Sequence, residues 1–66
     1  MLAEMKNHVH TEDGVGDIPA GTIVDAEYIG TARHPWMRVP MARYRVTLNG
    51  IDRGVFWARD LHRFVL

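Results

Sequence analysis

The residues between positions 33 and 45, RHPWMRVPMARYR, carry the most distinctive chemistry of this chain. Four arginines, a tryptophan and a tyrosine are interleaved there with two prolines, and no acidic residue is present. Arginine can pair with carboxylate or phosphate groups, and the aromatic rings offer stacking surfaces. Tryptophan, tyrosine, arginine and methionine are also enriched in the centres of protein interfaces. The stretch therefore predicts a binding surface.

We expect this surface to have Trp36 as its anchor, because Pro35 and Pro40 restrict the loop and lower the entropy that ordering would cost. Three interpretations stay open: a protein contact, a nucleic-acid contact, or a solvated loop with Trp36 folded back over the domain. A net charge of zero and a pI near 6.9 disfavour nucleic acid, whose partners are usually basic. The predicted binding residues are Arg33, Trp36, Arg38, Arg43, Tyr44, Arg45 and Trp57.

Histidines occur at positions 8, 10, 34 and 62, and the first two have the i, i+2 spacing that places side chains on one face of a strand. Two such imidazoles can reach one metal ion, with a third ligand from His34, His62 or a carboxylate. Since the spacing does not dictate the third ligand, we interpret His8 and His10 as the polar face of an edge strand. We predict no metal site and no cofactor.

Catalytic signals are weak. The chain has no cysteine and no glycine-rich phosphate loop, and its aliphatic hydroxyl groups all belong to threonines. We therefore expect a protein that is not an enzyme.

The length of 66 residues allows one domain, residues 1–66, with a marginal core. Disulfides are excluded because cysteine is absent, so we expect support from a homodimer or another partner. One lysine accompanies six acidic residues in residues 1–30, whereas residues 31–66 contain seven arginines and two acidic residues. The two halves either pair with each other or leave a basic face.

Alternating apolar residues bounded by Gly, Pro and Asn predict short antiparallel strands. Met5 and Val9, then Val24, Ala26 and Tyr28, then Tyr44, Val46 and Leu48 are the expected inward residues. Asn49-Gly50 predicts a tight type I′ hairpin turn. Phe56 and Trp57 point to opposite faces, so one belongs to the core, and the other packs under the loop or joins an aromatic patch with Tyr28 or Tyr44. The expected strands are 4–11, 22–29, 42–48, 53–58 and 62–65, with a helical turn at 58–61 and a long loop at about 30–41.

This order of parts resembles the SH3-like β-barrel, and in particular the bacterial SH3 domains. The matching positions lie within residues 18–65 and are Gly21, Ile23, Val24, Tyr44, Val46, Asn49, Gly50, Gly54, Val55, Phe56, Trp57 and Leu61. The resemblance implies an all-β, five-stranded SH3-like barrel with one helical turn before the last strand. Bacterial SH3 domains commonly bind cell walls after export, and we do not transfer that role because no export signal is evident. The short Val-Gln-Ile-Tyr motif of the similar type II dihydrofolate reductases is absent near residues 55–57.

We therefore expect a small protein-interaction module, from a phage or mobile element, that binds a host factor. The alternative is a nucleic-acid-binding barrel that uses the arginine and tryptophan loop. We find no apolar run of the roughly 20 residues that a membrane-spanning helix needs, and the expected location is the cytoplasm.

Overall fold

The computed structural model describes residues 1–11, 14 and 16–63 and contains five β-strands. They are β1 (Leu2–Met5), β2 (Ile23–Arg33), β3 (Pro40–Leu48), β4 (Ile51–Trp57) and β5 (Leu61–Arg63), with a 3₁₀ turn at Ala58–Asp60 before β5. All strand pairs are antiparallel, in one sheet of order β4-β3-β2-β1-β5. The predicted all-β class, with five strands and a helical turn before the last, is confirmed. The closer resemblance to SH3-like barrels stays a prediction.

Strand β3 shows why the chain forms a sheet. Tyr44 and Val46 are buried, whereas Arg45 between them is exposed, which is the period-two pattern of a half-buried strand. The core cluster combines this inner face with apolar residues of β1, β2, β5 and the segment before β2. Its buried members are Ala3, Met5, Ile18, Val24, Ala26, Tyr44, Val46 and Leu61.

The β3–β4 hairpin has the predicted Asn49-Gly50 turn. Asn49 has φ 53° and Gly50 has φ 78°, and Leu48 pairs with Ile51 across the turn. Both central residues therefore occupy the left-handed region that a two-residue type I′ turn requires.

The first predicted strand, 4–11, is wrong beyond Met5. Strand β1 ends there, and the backbone N–H of Lys6 instead donates a hydrogen bond to the carbonyl of Asp60. Farther on, Val9 and Ile18 form an isolated antiparallel bridge in which each backbone N–H donates to the other's carbonyl. The segment after Met5 thus pairs with its own following loop, because Val9 and Ile18 place apolar side chains against the core.

The loop between β2 and β3, expected at about 30–41, is shorter than predicted. Strand β2 continues to Arg33, which pairs with Pro40, so only residues 34–39 lie outside the strands. Pro40 is tolerated because it is the first residue of its strand. The register shifts between Tyr28 and Gly30, where Ile29 forms a bulge, and Gly30 has φ 115°. The inward prediction is wrong for Tyr28, which is 57% exposed.

The end of the last predicted strand, at residues 64 and 65, lies outside the described residues. Within the described part of the chain, no helix has the length and apolar character needed to cross a membrane.

Candidate functional site

The end of the β2–β3 hairpin is a turn organised by His34. The backbone N–H of Met37 donates to the carbonyl of His34 at 3.2 Å, so residues 34–37 form a β-turn with Pro35 in the second position, where proline is favoured. The backbone N–H of Trp36 also donates to Nδ1 of the His34 ring at 3.1 Å. His34 is only 9% exposed. A buried imidazole therefore fixes the backbone from which Trp36 projects.

Trp36 is 86% exposed and does not fold back over the sheet. Val39 is 61% exposed and Met37 is also exposed, so three large apolar side chains of one six-residue loop face solvent. We call Trp36, Met37 and Val39 the tip residues. Isolated apolar side chains on a surface are ordinary, but a group of them that includes tryptophan is typical of an interaction site.

Trp57 lies under this loop rather than on an open aromatic patch. Its ring meets the ring of His34 edge to face, with centroids 4.8 Å apart. The guanidinium carbon of Arg43, the residue paired with Trp57 across β3 and β4, lies 5.8 Å from the centroid of the Trp57 indole. Phe56, the neighbour on the opposite face, packs against the core. Of the two placements expected for Trp57, the structure has the one beneath the loop.

Tyr44 was predicted as a binding residue, and its placement does not suit that role. It is 3% exposed and belongs to the core cluster, because it alternates with Arg43 and Arg45 along β3. Its ring contacts that of Tyr28, the residue opposite it on β2, with centroids 5.7 Å apart. Tyr44 therefore supports the sheet from inside and offers almost no surface to a partner.

Arg45 is paired within the sheet. Its Nη1 lies 2.7 Å from Oδ2 of Asp52, and Oδ1 of Asp52 accepts a hydrogen bond from the backbone N–H of Gly54 at 2.8 Å. The Gly54 N–H, and then the Arg45 guanidinium, hold the pKa of Asp52 below its usual value. Arg45 thus links β3 to β4 where their pairing is irregular, and it does not belong to the end of the β2–β3 hairpin.

Five of the seven arginines divide into two groups. Arg43 contacts Trp57, Arg45 pairs with Asp52, and Arg53 donates to the carbonyl of Gly16. Arg33 and Arg38, which flank the turn, are exposed and have no ion pair with the described residues. The structure thus brings Arg33, Trp36 and Arg38 together on the hairpin and places Arg43 and Trp57 beneath it.

Sequence reasoning missed His34 as the organiser of this end of the hairpin. No sequence signal marks that role, because it depends on Trp57, which lies 23 positions later in the chain and reaches His34 only once β3 and β4 have paired. A second group of polar side chains, His8, His10 and Asp17, could hold a metal ion and lies on the Val9–Ile18 bridge.

Comparison with models of protein families, with curated proteins and with solved structures finds no match to this chain.

Proposed function

We propose that this protein is a non-enzymatic protein-interaction module that contacts its partner through the end of the β2–β3 hairpin. The observation that carries the proposal is the exposure of Trp36 on a turn whose backbone is held by His34. Arg33 and Arg38 form the charged rim of this surface, and the tip residues form its apolar centre.

Trp36 is preorganised for binding. A large apolar side chain exposed to water gains about 25 cal/mol for each Å² of apolar area that a partner covers. The indole ring of Trp36 is rigid and loses little conformational entropy on binding. The hydrogen bonds to His34 already restrict the backbone of the turn that carries it. These are the features of an anchor that fills a pocket on a partner.

We favour a protein partner over nucleic acid because several arginines already contact other groups within the protein. Arg43 and Arg45, which were expected to extend the charged surface, contact Trp57 and Asp52, and Arg53 donates to a backbone carbonyl. Two exposed arginines beside one tryptophan are a small electrostatic footprint, since nucleic-acid affinity comes mainly from many phosphate contacts. An apolar centre with a basic rim suits a protein surface that has an apolar pocket and acidic edges.

The test uses immobilised wild-type protein and Trp36→Ala, incubated with cell lysate before and after nuclease treatment. We expect a nuclease-resistant protein partner on the wild type and at least about tenfold weaker capture by Trp36→Ala, since truncating an anchor costs on the order of 2 kcal/mol. With the purified partner, Arg38→Ala should weaken binding less, and its effect should shrink at high salt.

The matched control is Ile23→Ala, which removes an exposed apolar side chain at the opposite end of β2. It should leave capture unchanged. Recovery of nucleic acid alone, or equal loss in both variants, would contradict the proposal.

A further inference from the structure

The Val9–Ile18 bridge brings together three potential metal ligands that are far from the hairpin end in sequence. Val9 and Ile18 are directly opposite each other, and their two hydrogen bonds measure 2.8 and 3.0 Å. In such a pair the flanking side chains project away from the face that carries Val9 and Ile18. His8 and His10 flank Val9, and Asp17 precedes Ile18, so all three share the outer face.

The distances agree with this construction. One potential ligand atom from each of His8, His10 and Asp17 lies within 4.8 Å of the other two. Nε2 of His8 is 3.6 Å from Oδ2 of Asp17. Two ligands bound to Zn²⁺ at about 2.1 Å in tetrahedral geometry lie roughly 3.4 Å apart, so this pair is already close to the spacing of a loaded site.

The two imidazoles lie face to face, so their in-plane nitrogen lone pairs run nearly parallel and the rings must turn to direct both at one ion. Their rings are stacked with centroids 4.1 Å apart and planes 16° from parallel. Because the side chains of His8 and His10 are exposed, small rotations of their rings can bring a nitrogen of His10 closer to the ligand atoms of His8 and Asp17 without moving the core. The backbone that carries them is fixed by the bridge.

The carboxylate of Asp17 is oriented by a neighbour. Its Oδ1 accepts hydrogen bonds from the backbone N–H of Thr11 at 2.7 Å and from the Thr11 hydroxyl at 3.0 Å, which directs Oδ2 towards His8. Outer hydrogen bonds of this kind hold a ligand in place and raise metal affinity. The same Thr11 donors are the main reason that the pKa of Asp17 is lowered.

We propose that His8, His10 and Asp17 bind a divalent transition-metal ion, with Zn²⁺ as the probe of choice. Two imidazoles and one carboxylate are the donor set of Zn²⁺, Ni²⁺ and Cu²⁺ sites, whereas Mg²⁺ and Ca²⁺ prefer oxygen ligands alone. Three protein ligands on an exposed face leave a coordination position open to water or to a ligand from another molecule. This proposal is independent of the hairpin surface and of its partner.

The test is isothermal titration of the whole chain with zinc chloride, compared with His10→Ala, Asp17→Asn and the control His62→Ala. His62 is an exposed histidine on β5 outside the cluster. We expect saturable binding by the wild type and by His62→Ala, and at least about tenfold weaker binding by His10→Ala and Asp17→Asn. Asparagine keeps an oxygen for the Thr11 donors but removes the charge, so this variant separates metal binding from support of the loop.

Nitrogen-15 spectra of the histidine side chains give a second readout on the wild-type protein. Zinc should shift the imidazole resonances of His8 and His10 and leave those of His34 and His62 in place. The proposal is overturned if the wild type does not saturate below millimolar zinc, if His10→Ala binds as the wild type does, or if all four histidines shift equally.

Discussion

The two tryptophans of this chain lie in opposite environments, which are set by the residues around them. Trp57 has its face near Arg43 and meets the ring of His34 edge to face, so its surroundings come from β3 and from the loop. Trp36 is held through its backbone N–H, and its indole faces solvent. His34 connects the two, since one ring accepts from the backbone of Trp36 and packs against Trp57. We expect the surface proposed for binding to depend on this histidine, although a partner would touch its neighbours.

Replacing His34 tests that dependence. His34→Ala removes a ring contact worth about 0.5–1.5 kcal/mol and a hydrogen bond worth roughly 1 kcal/mol, so the free energy of unfolding should fall by about 1.5–2.5 kcal/mol. Urea unfolding followed by circular dichroism measures the change. Arg38→Ala, in the same loop but exposed, should alter stability by less than about 0.5 kcal/mol. Equal stability of the two variants would show that the histidine does not organise the turn.

At the scale of the elements, the sequence predicted strands well where a period-two pattern and a turn signal coincide. The β3–β4 hairpin follows from Tyr44, Val46 and the Asn49-Gly50 pair, which are all local signals. The first strand was predicted too long because His8 and His10 continue an alternation that begins at Met5. The pattern cannot show that the chain turns at Lys6 and pairs with Ile18 instead, since that choice depends on a hydrogen bond to Asp60.

The hairpin end was predictable in composition but only partly in geometry. The exposed position of Trp36 agrees with the role expected for it, and that role stays a prediction. Tyr44 was both an expected inward residue and an expected binding residue, and the strand alternation decides for the core. The partners of Arg43 and Arg45 are set by pairing across strands, which the local sequence does not contain.

Gly50 tests the turn of the β3–β4 hairpin. A Cβ atom at this position would meet nothing within 4 Å, so any loss of stability comes from the backbone at φ 78°. Gly50→Ala should cost about 1 kcal/mol, because L-residues with a Cβ atom disfavour the left-handed region. Gly50→Asn should cost less, because asparagine tolerates that region. Thermal unfolding of both variants measures the difference, and an alanine variant as stable as the asparagine variant would contradict a type I′ turn.

The lowered pKa of Asp52 makes the stability of the folded protein depend on pH. Its pKa is lowered in the folded state by the Gly54 N–H and by Arg45, so its stabilising effect is complete above the unfolded pKa of about 3.9. The effect is lost as the pH falls through the lower folded value. Stability measured by urea unfolding should therefore decline below about pH 4 more steeply in the wild type than in Asp52→Asn. If the stability of the two proteins changes with pH in the same way, the contacts of Asp52 with Gly54 and Arg45 contribute nothing to the free energy of unfolding.

At the scale of the whole molecule, the described core consists of eight buried side chains, of which two are alanines. A chain of this size buries only about 60% of the surface that it exposes when unfolded. The sheet also ends in two edge strands, β4 and β5, each with one neighbour in the strand order. On β4, Ile51 and Val55 are exposed, and an exposed apolar edge strand of this kind can accept another strand.

The homodimer or partner-completed fold expected from the sequence stays a prediction, and a dimer would make stability depend on concentration. If two copies must dissociate to unfold, each tenfold increase in protein concentration adds about 1.4 kcal/mol to the folded dimer and should raise the midpoint of thermal unfolding by roughly 5 °C. Scanning calorimetry over a hundredfold concentration range measures this shift, and sedimentation equilibrium measures the mass directly. Val55→Lys places a charge on the exposed edge of β4 and should abolish the shift if the copies meet there, whereas Glu27→Lys, an exposed change on the interior strand β2, should preserve it. A monomer mass with a midpoint independent of concentration would establish that the described core is sufficient for this fold without a second copy, and that the apolar edge of β4 has no partner copy.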